Sequence, residues 1–330
     1  MLSRYLSEDE TEFNIEGLDI FDMSLLVLLP STLKIFNCSW TNITEIPDTL
    51  TSLTQLNCSG TKITEIPDIL TSLTHLDCNW TKITEIYDTL ISLTHLNCNN
   101  TNITKIPDTL TSLTHLYCSC TKITEIPDTL TSLTHLNCGV INITEIPDTL
   151  TSLTYLACYD TNITKMPDTL TSLVHLDCSW TNITKIPDTL TSLTYLDCSY
   201  TKITKIPDTL TSLTYLDCYK TNITKIPDTL TSLVHLDCRN CKELVYIPND
   251  IYDIRYIIYS ECPNLVRIIP ERSIVELIDN CPICFDDSGT GYQCVNGHVI
   301  HVDCQKEWER LNLKQRICPY CRGKFKMIEK

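Results

Sequence analysis

The sequence predicts an α/β-type solenoid, with a parallel β-sheet on a concave face and short turns or 3-10 segments on a convex face. A small metal-stabilised module follows it. Three observations carry this expectation. From residue 31 to 250, eleven units of 20 residues follow one another, typified by "TSLTHLDCNWTKITEIYDTL" at 71–90. Within each unit, apolar residues first alternate and then recur at three-residue steps. After residue 270 the period ends, and Cys and His appear at a new spacing.

In the unit 71–90 the apolar skeleton is Leu73, Leu76, Cys78, Ile83 and Ile86, with Thr81 between. Residues 75–79 alternate outward and inward, the period of a strand, with Leu76 and Cys78 inward. One such unit cannot bury its apolar face alone, so neighbours stack around a continuous core. The pattern L-x-x-L-x-C-x-x-T-x-I-x-x-I resembles the leucine-rich repeat. Its proline-containing 20-residue form is similar to repeats of some bacterial effectors, and "IPDTLTSLTHL" to repeats common in amoebae and large DNA viruses. That resemblance implies the horseshoe-type solenoid of the family, over about residues 31–270. A degenerate twelfth unit covers roughly 251–270.

Each slot of the unit has an expected purpose. Cys38, Cys58, Cys78, Cys98, Cys118, Cys138, Cys158, Cys178, Cys198, Cys218 and Cys238 all occupy an inward slot, where a thiol packs as a small hydrophobe. A line of thiols on successive strands does not converge on a metal ion. Thr41 and its equivalents should bond backbone groups as the chain leaves the strand. Ile141 interrupts that threonine column, and a local irregularity is expected there. Asp-Thr-Leu after each proline should form a side-chain-capped turn, with Tyr87 replacing one proline.

Three columns point outward from the strands. One holds His75, His95, His115, His135, His175 and His235 together with Tyr155, Tyr195 and Tyr215. A second holds Asn or Asp in most units. A third contains Trp40, Trp80 and Trp180. Exposed aromatics are enriched at interfaces, and concave solenoid faces commonly bind. The histidine and aromatic positions are therefore the candidate surface for a protein substrate. Nothing in the repeats activates a nucleophile.

Composition narrows the function classes. The net charge is −16, with seven acids and one base in residues 1–30 and 25 acids and 15 bases in 31–270. An acidic surface excludes a general phosphate-binding role, so no nucleic-acid partner is expected. No stretch is long and apolar enough to span a bilayer, and "LLVLLP" at 25–30 follows acids rather than the basic start of a signal peptide. A reducing cytoplasm is the expected location, with no membrane partner. The 20 cysteines are then packing groups or metal ligands rather than disulfides.

The C-terminal ligand candidates are Cys281, Cys284, Cys294, His298, His301, Cys304, Cys318 and Cys321, spaced C-x2-C-x9-C-x3-H-x2-H-x2-C-x13-C-x2-C. Eight such donors in about 40 residues suit two tetrahedral zinc ions without an open position. A segment this small would draw much of its folding energy from the metal. The spacing resembles the RING finger, in the form with two central histidines. Interleaving in that family implies one zinc on Cys281, Cys284, His301 and Cys304, and a second on Cys294, His298, Cys318 and Cys321.

In RING ubiquitin ligases an apolar residue, an aromatic and a proline at fixed places dock the ubiquitin-conjugating enzyme. Ile283, Trp308 and Pro319 match them. Arg322 matches the cation that bridges the conjugating enzyme and ubiquitin. The expected organisation is an acidic N-terminal cap (1–30), a leucine-rich repeat solenoid (31–270) and a RING-type zinc finger (277–325). The resemblance implies a RING-type ubiquitin-protein ligase whose partners are a ubiquitin-conjugating enzyme, ubiquitin and a substrate on the concave face. The alternative is a non-enzymatic binding scaffold with a purely structural zinc module.

Overall fold

A computed structural model describes residues 4–18, 23–248, 251, 256–266, 291–294, 299–301 and 325–328. The chain divides into two compact units, Met1–Lys202 and Ile203–Lys330.

The first unit is built on ten three-residue strands, all paired in parallel with their neighbours. They are β1 (Glu12–Asn14), β2 (Ile35–Asn37), β3 (Gln55–Asn57), β4 (His75–Asp77), β5 (His95–Asn97), β6 (His115–Tyr117), β7 (His135–Asn137), β8 (Tyr155–Ala157), β9 (His175–Asp177) and β10 (Tyr195–Asp197). Register follows the sequence period, so His75, Leu76 and Asp77 face His95, Leu96 and Asn97. The ladder runs past each strand end. Cys78 N donates to Asn97 O at 2.9 Å, and Trp80 N to Asn99 O at 3.0 Å.

Every inward slot is filled as the pattern demands. In the repeat at 91–110, for example, Leu93, Leu96, Cys98, Ile103, Ile106 and Leu110 are all fully buried. The cysteine column lies in this core as free thiols. Burial pushes these thiols up, to about 12 at Cys38 and Cys118 and well above the ordinary thiol value at Cys58, Cys78, Cys98 and Cys138. They are core, with no thiolate to offer. The threonine column behaves as expected: Thr41, Thr61, Thr81 and Thr101 hydroxyls donate to the carbonyls of Cys38, Cys58, Cys78 and Cys98 at 2.6–2.7 Å.

Two details differ from the sequence expectations, at Ile141 and at the threonine of Asp-Thr-Leu, and three others fill them in. Ile141 causes no irregularity: it is 5% exposed, and the adjoining backbone keeps the same turn as its neighbours. An isoleucine fills the slot with apolar contact where threonine fills it with a hydrogen bond. On the convex side the repeats use turns, such as Leu50 N to Pro47 O at 3.3 Å; the described 3-10 segment is Met23–Leu28, before the repeats. Tyr87 preserves that turn, with Leu90 N to Tyr87 O also at 3.3 Å. The threonine of Asp-Thr-Leu does not cap its own turn. Thr89 Oγ1 donates to Asp68 O at 2.7 Å and Thr109 Oγ1 to Asp88 O at 2.8 Å, so this residue joins successive repeats. Finally, the N-terminal segment adds β1 to the sheet, with Phe13 opposite Phe36 and both fully buried.

The second unit contains the parallel strands β11 (Tyr215–Asp217), β12 (His235–Asp237) and β13 (Tyr256–Ile258). The extra residue before Leu244 is absorbed without loss of burial at Leu244. Cys241 and Cys262 take over the threonine role, donating to the carbonyls of Cys218 and Cys238 at 3.0 Å. The same unit holds an antiparallel sheet of β14 (Gly291–Cys294), β15 (Val299–His301) and β16 (Phe325–Ile328), in the order β15-β14-β16.

Candidate functional site

The outward column of the first unit forms a continuous stack of rings. His75, His95, His115 and His135 lie 4.2 Å apart between neighbouring ring centroids, with interplanar angles of 10–13°. Tyr155 extends the row at 5.8 Å, His175 at 4.4 Å and Tyr195 at 4.0 Å. In the second unit Tyr215 and His235 stack at 4.4 Å. The cause is the parallel register: identical slots on adjacent strands stand about 4.8 Å apart, close to the thickness of stacked aromatics. Burial within the stack, reinforced by the neighbouring imidazoles, holds His95 and His115 below the ordinary histidine range. Burial lowers His175 and His235 as well, against the opposing pull of Asp197 and Asp237.

Each of the four stacked histidines follows a threonine. Oγ1 of Thr74, Thr94, Thr114 and Thr134 lies 2.9 Å from Nδ1 of the next residue. The same oxygen donates to the carbonyl of the preceding repeat, at 3.0–3.1 Å. His175 and His235 follow Val174 and Val234 instead and lack this contact by composition. The difference is written in the sequence as T-H against V-H.

The Asn and Asp column proves to be local architecture. Asn37 Oδ1 accepts from Ser39 N at 3.1 Å, Asn57 Oδ1 from Ser59 N at 3.1 Å, and Asp177 Oδ1 from Ser179 N at 3.0 Å. These side chains bend the chain away from the strand.

The bend delivers the third column in the left-handed backbone region. φ is 55° at Trp40, 56° at Trp80 and Trp180, and 66° at Gly60. Despite their size, Trp40, Trp80 and Trp180 remain 59%, 61% and 55% exposed. Trp40 lies flat over Gly60, where an added Cβ would come 2.5 Å from its Cε3; Trp180 stacks on Tyr200 at 3.6 Å. Tyr159 covers Gly139 in the same way and belongs to the surface, although sequence reasoning passed over it. Between the columns, over β2–β6, runs a concavity of about 400 Å³ bordered by Gln55, Asn57, His75, Asp77, His95 and Tyr117.

Among the described residues no group of three or more His, Cys, Asp or Glu could hold a metal ion. Of the zinc-ligand candidates, Cys294 closes β14 and His301 closes β15. Cys281, Cys284, His298, Cys304, Cys318 and Cys321 lie outside the described residues, as do Ile283, Trp308, Pro319 and Arg322.

Two family models match: Leucine Rich repeats (2 copies) over residues 91–130, and Leucine Rich Repeat over 192–213. No curated protein matches the chain. Among solved structures, the functional domain of InlJ from Listeria monocytogenes, described as including a cysteine ladder, is 30% identical with a TM-score of 0.66. That alignment covers 81% of this chain and 56% of the InlJ chain, so the present chain spans little more than half its length. YopM, a leucine-rich effector protein from Yersinia pestis, shares the fold at 22% identity and TM-score 0.68, over 79% of this chain and 80% of its own. The leucine-rich repeat ectodomain of the plant receptor kinase GASSHO1/SCHENGEN3 from Arabidopsis thaliana, in complex with CASPARIAN STRIP INTEGRITY FACTOR 2, aligns at 21% identity and TM-score 0.60. Coverage there is 78% of this chain and 34% of the ectodomain. The period, the parallel sheet of three-residue strands and these matches make the chain a leucine-rich repeat protein.

Proposed function

We propose that the repeats bind a protein partner on their concave face and that the C-terminal segment is a RING-type zinc finger, making the chain a ubiquitin-protein ligase. The observation that carries the first part is the outward stack of His75, His95, His115, His135 and Tyr155, flanked by exposed tryptophans. A solenoid needs none of these for its core, and amphipathic rings on a concave face suit a protein interface. The plant ectodomain solved with its partner supports this reading by analogy of fold.

The second part rests on the donor set. Four ligands per ion, all Cys or His, fit two closed tetrahedral zinc sites. Gly291 pairs with His301, which puts Cys294 three residue pairs further along the ladder. That backbone spacing, on the order of 10 Å along the strands, is compatible with the assignment of the two residues to different ions. Bound zinc would fix the surrounding loops and offer no open coordination position. Ile283, Trp308 and Pro319 would dock the conjugating enzyme, and Arg322 would bridge it to ubiquitin. The chain then supplies orientation and electrostatic positioning rather than a nucleophile. The site of action is a eukaryotic cytoplasm.

The test is ubiquitin-chain formation by the full chain with activating enzyme, a panel of conjugating enzymes and ATP. Zinc-dependent chains that vanish on chelation support the reading; their absence across the panel leaves the repeats as a binding scaffold with a structural zinc module.

A further inference from the structure

The last two repeats place cysteine where the earlier ones place threonine. From Thr41 to Thr221 the slot holds threonine except at Ile141, and then come Cys241 and Cys262. A thiol is a weaker hydrogen-bond donor than a hydroxyl, so the exchange gains nothing for the bond to the backbone carbonyl. It does bring a second sulfur against each of the last two ladder thiols. Cys241 Sγ stands 3.0 Å from Cys218 O, and Cys262 Sγ stands 3.0 Å from Cys238 O. In both cases the thiols are also hydrogen-bonded to each other, Cys218 with Cys241 and Cys238 with Cys262. The two pairs are one arrangement repeated.

Their surroundings differ. Cys218, Cys238 and Cys241 are fully buried, whereas Cys262 is half-buried. The cause is the end of the array. Ile257 and Leu265 are half-buried too, although Leu236 and Leu244, which hold the same slots one repeat earlier, are sealed. A reagent in solution therefore reaches Cys262 and no other sulfur of the four. Contact between the two sulfurs pulls Cys262 below the ordinary thiol value and pushes Cys238, which is also desolvated, above it. The reachable sulfur is thus the one that ionises first.

We propose that Cys238 and Cys262 form a reversible disulfide, with Cys262 the thiol that meets a low-molecular-weight disulfide from solution and Cys238 the thiol that resolves it. With oxidised glutathione, the Cys262 thiolate attacks one sulfur; a new S–S bond forms as the old one breaks, and one glutathione leaves as thiolate. Cys238 then gives its proton to solvent and attacks Cys262 Sγ, and the second glutathione leaves as thiolate. Two electrons pass from the protein pair to the glutathione disulfide, which ends as two thiols. The second exchange joins groups already in contact, and that proximity offsets the small thiolate fraction of Cys238. The cross-link ties the repeat of β13 to that of β12 and restrains fraying at the end of the array. A glutathione pool kept reducing holds the pair as thiols, so the link forms when that pool is oxidised.

Trypsin places each of the four cysteines on its own peptide: Cys218 in 206–220, Cys238 in 226–239, Cys241 in 240–242 and Cys262 in 256–267. The experiment incubates the full chain with mixtures of oxidised and reduced glutathione and alkylates the remaining thiols under denaturing conditions. Digestion without reduction and mass spectrometry then map the links. The expected product joins 226–239 to 256–267 and reverses with dithiothreitol. It should form at an oxidised-to-reduced ratio about tenfold or more below any that links 206–220 to 240–242. Exposed Cys120 should take up glutathione and serves as the control for the reagent. Cys262→Thr restores the residue of the earlier repeats; it should abolish the product and leave Cys238 unmodified. In Cys238→Ala, Cys262 should retain one glutathione. Should that core variant fail to fold, the maps of the wild type and Cys262→Thr decide. Three outcomes overturn the proposal: Cys262 free while Cys120 is modified, a lasting glutathione adduct on wild-type Cys262, or a link from Cys262 to Cys241 instead.

Discussion

Thr94 Oγ1 stands 2.9 Å from His95 Nδ1 while donating its own proton to Thr74 O at 3.0 Å. Two properties meet in that one hydroxyl. It ties one repeat to the next, and it meets the Nδ1 edge of a surface imidazole. Long-range proton–nitrogen NMR of the wild-type chain should find the Nδ1–H form at His95. In Thr94→Val that preference should fade, with a stability loss of about 1 kcal/mol from the missing inter-repeat bond. An Nε2–H wild type would contradict the assignment.

The stack makes the fold sensitive to acid. Burial and neighbouring imidazoles lower His95 and His115 in the folded chain from the ordinary value of 6.5. As pH falls through that value, the unfolded chain takes up protons that the folded chain still refuses. Stability is therefore present above about pH 6.5 and declines as pH drops toward the lowered folded values. Denaturation midpoints measured from neutral pH to pH 5 should fall, and fall less in His95→Phe/His115→Phe. A flat profile in the wild type would show that the rings exert no such linkage.

Gly60 meets two demands at once: φ is 66°, and the Trp40 ring occupies the space a Cβ would need. The left-handed backbone alone is tolerated at this slot, since Trp80 and Asn100 adopt it. Displacement of the ring is the larger effect. Gly60→Ala should cost about 1–3 kcal/mol and red-shift tryptophan fluorescence as Trp40 moves into water. Gly139→Ala should disturb Tyr159 without that tryptophan signal.

Thiol reactivity separates the core ladder from the surface. Cys120 is the exposed cysteine among the described residues, in the same left-handed slot as Trp80. A maleimide applied to the folded chain should modify Cys120 quickly. The ladder thiols should react only after unfolding, because burial both blocks access and suppresses the thiolate. Rapid labelling at Cys98 or Cys138 would contradict the packing described here.

The repeat architecture was legible because near-identical units leave one solution: each inward slot repeats, and parallel register follows. Three features escaped for physical reasons. β1 sits 23 residues before β2 and carries Phe13 and Ile15 where the repeat has Leu and Cys, so the period concealed it. The Asn and Asp column faces outward yet spends its oxygens on backbone amides, which a pattern of polarity does not distinguish from a binding column. The left-handed slot mixes Gly60, Asn100, Asp160 and Asn240, which suit a positive φ, with tryptophan, cysteine and valine, which do not, so its composition concealed the shared φ. The zinc spacing was read from the sequence, and of its eight positions Cys294 and His301 fall within the described strands.

The central claim is that the C-terminal segment acts on a conjugating enzyme rather than only folding around zinc. The most direct measurement compares ubiquitin transfer by the wild type, Ile283→Ala and Arg322→Ala, with zinc content measured on the same preparations. The account predicts two zinc ions per chain in all three and transfer lost or strongly reduced in both variants. Equal transfer by all three, or none by a wild type that holds its zinc, would contradict it.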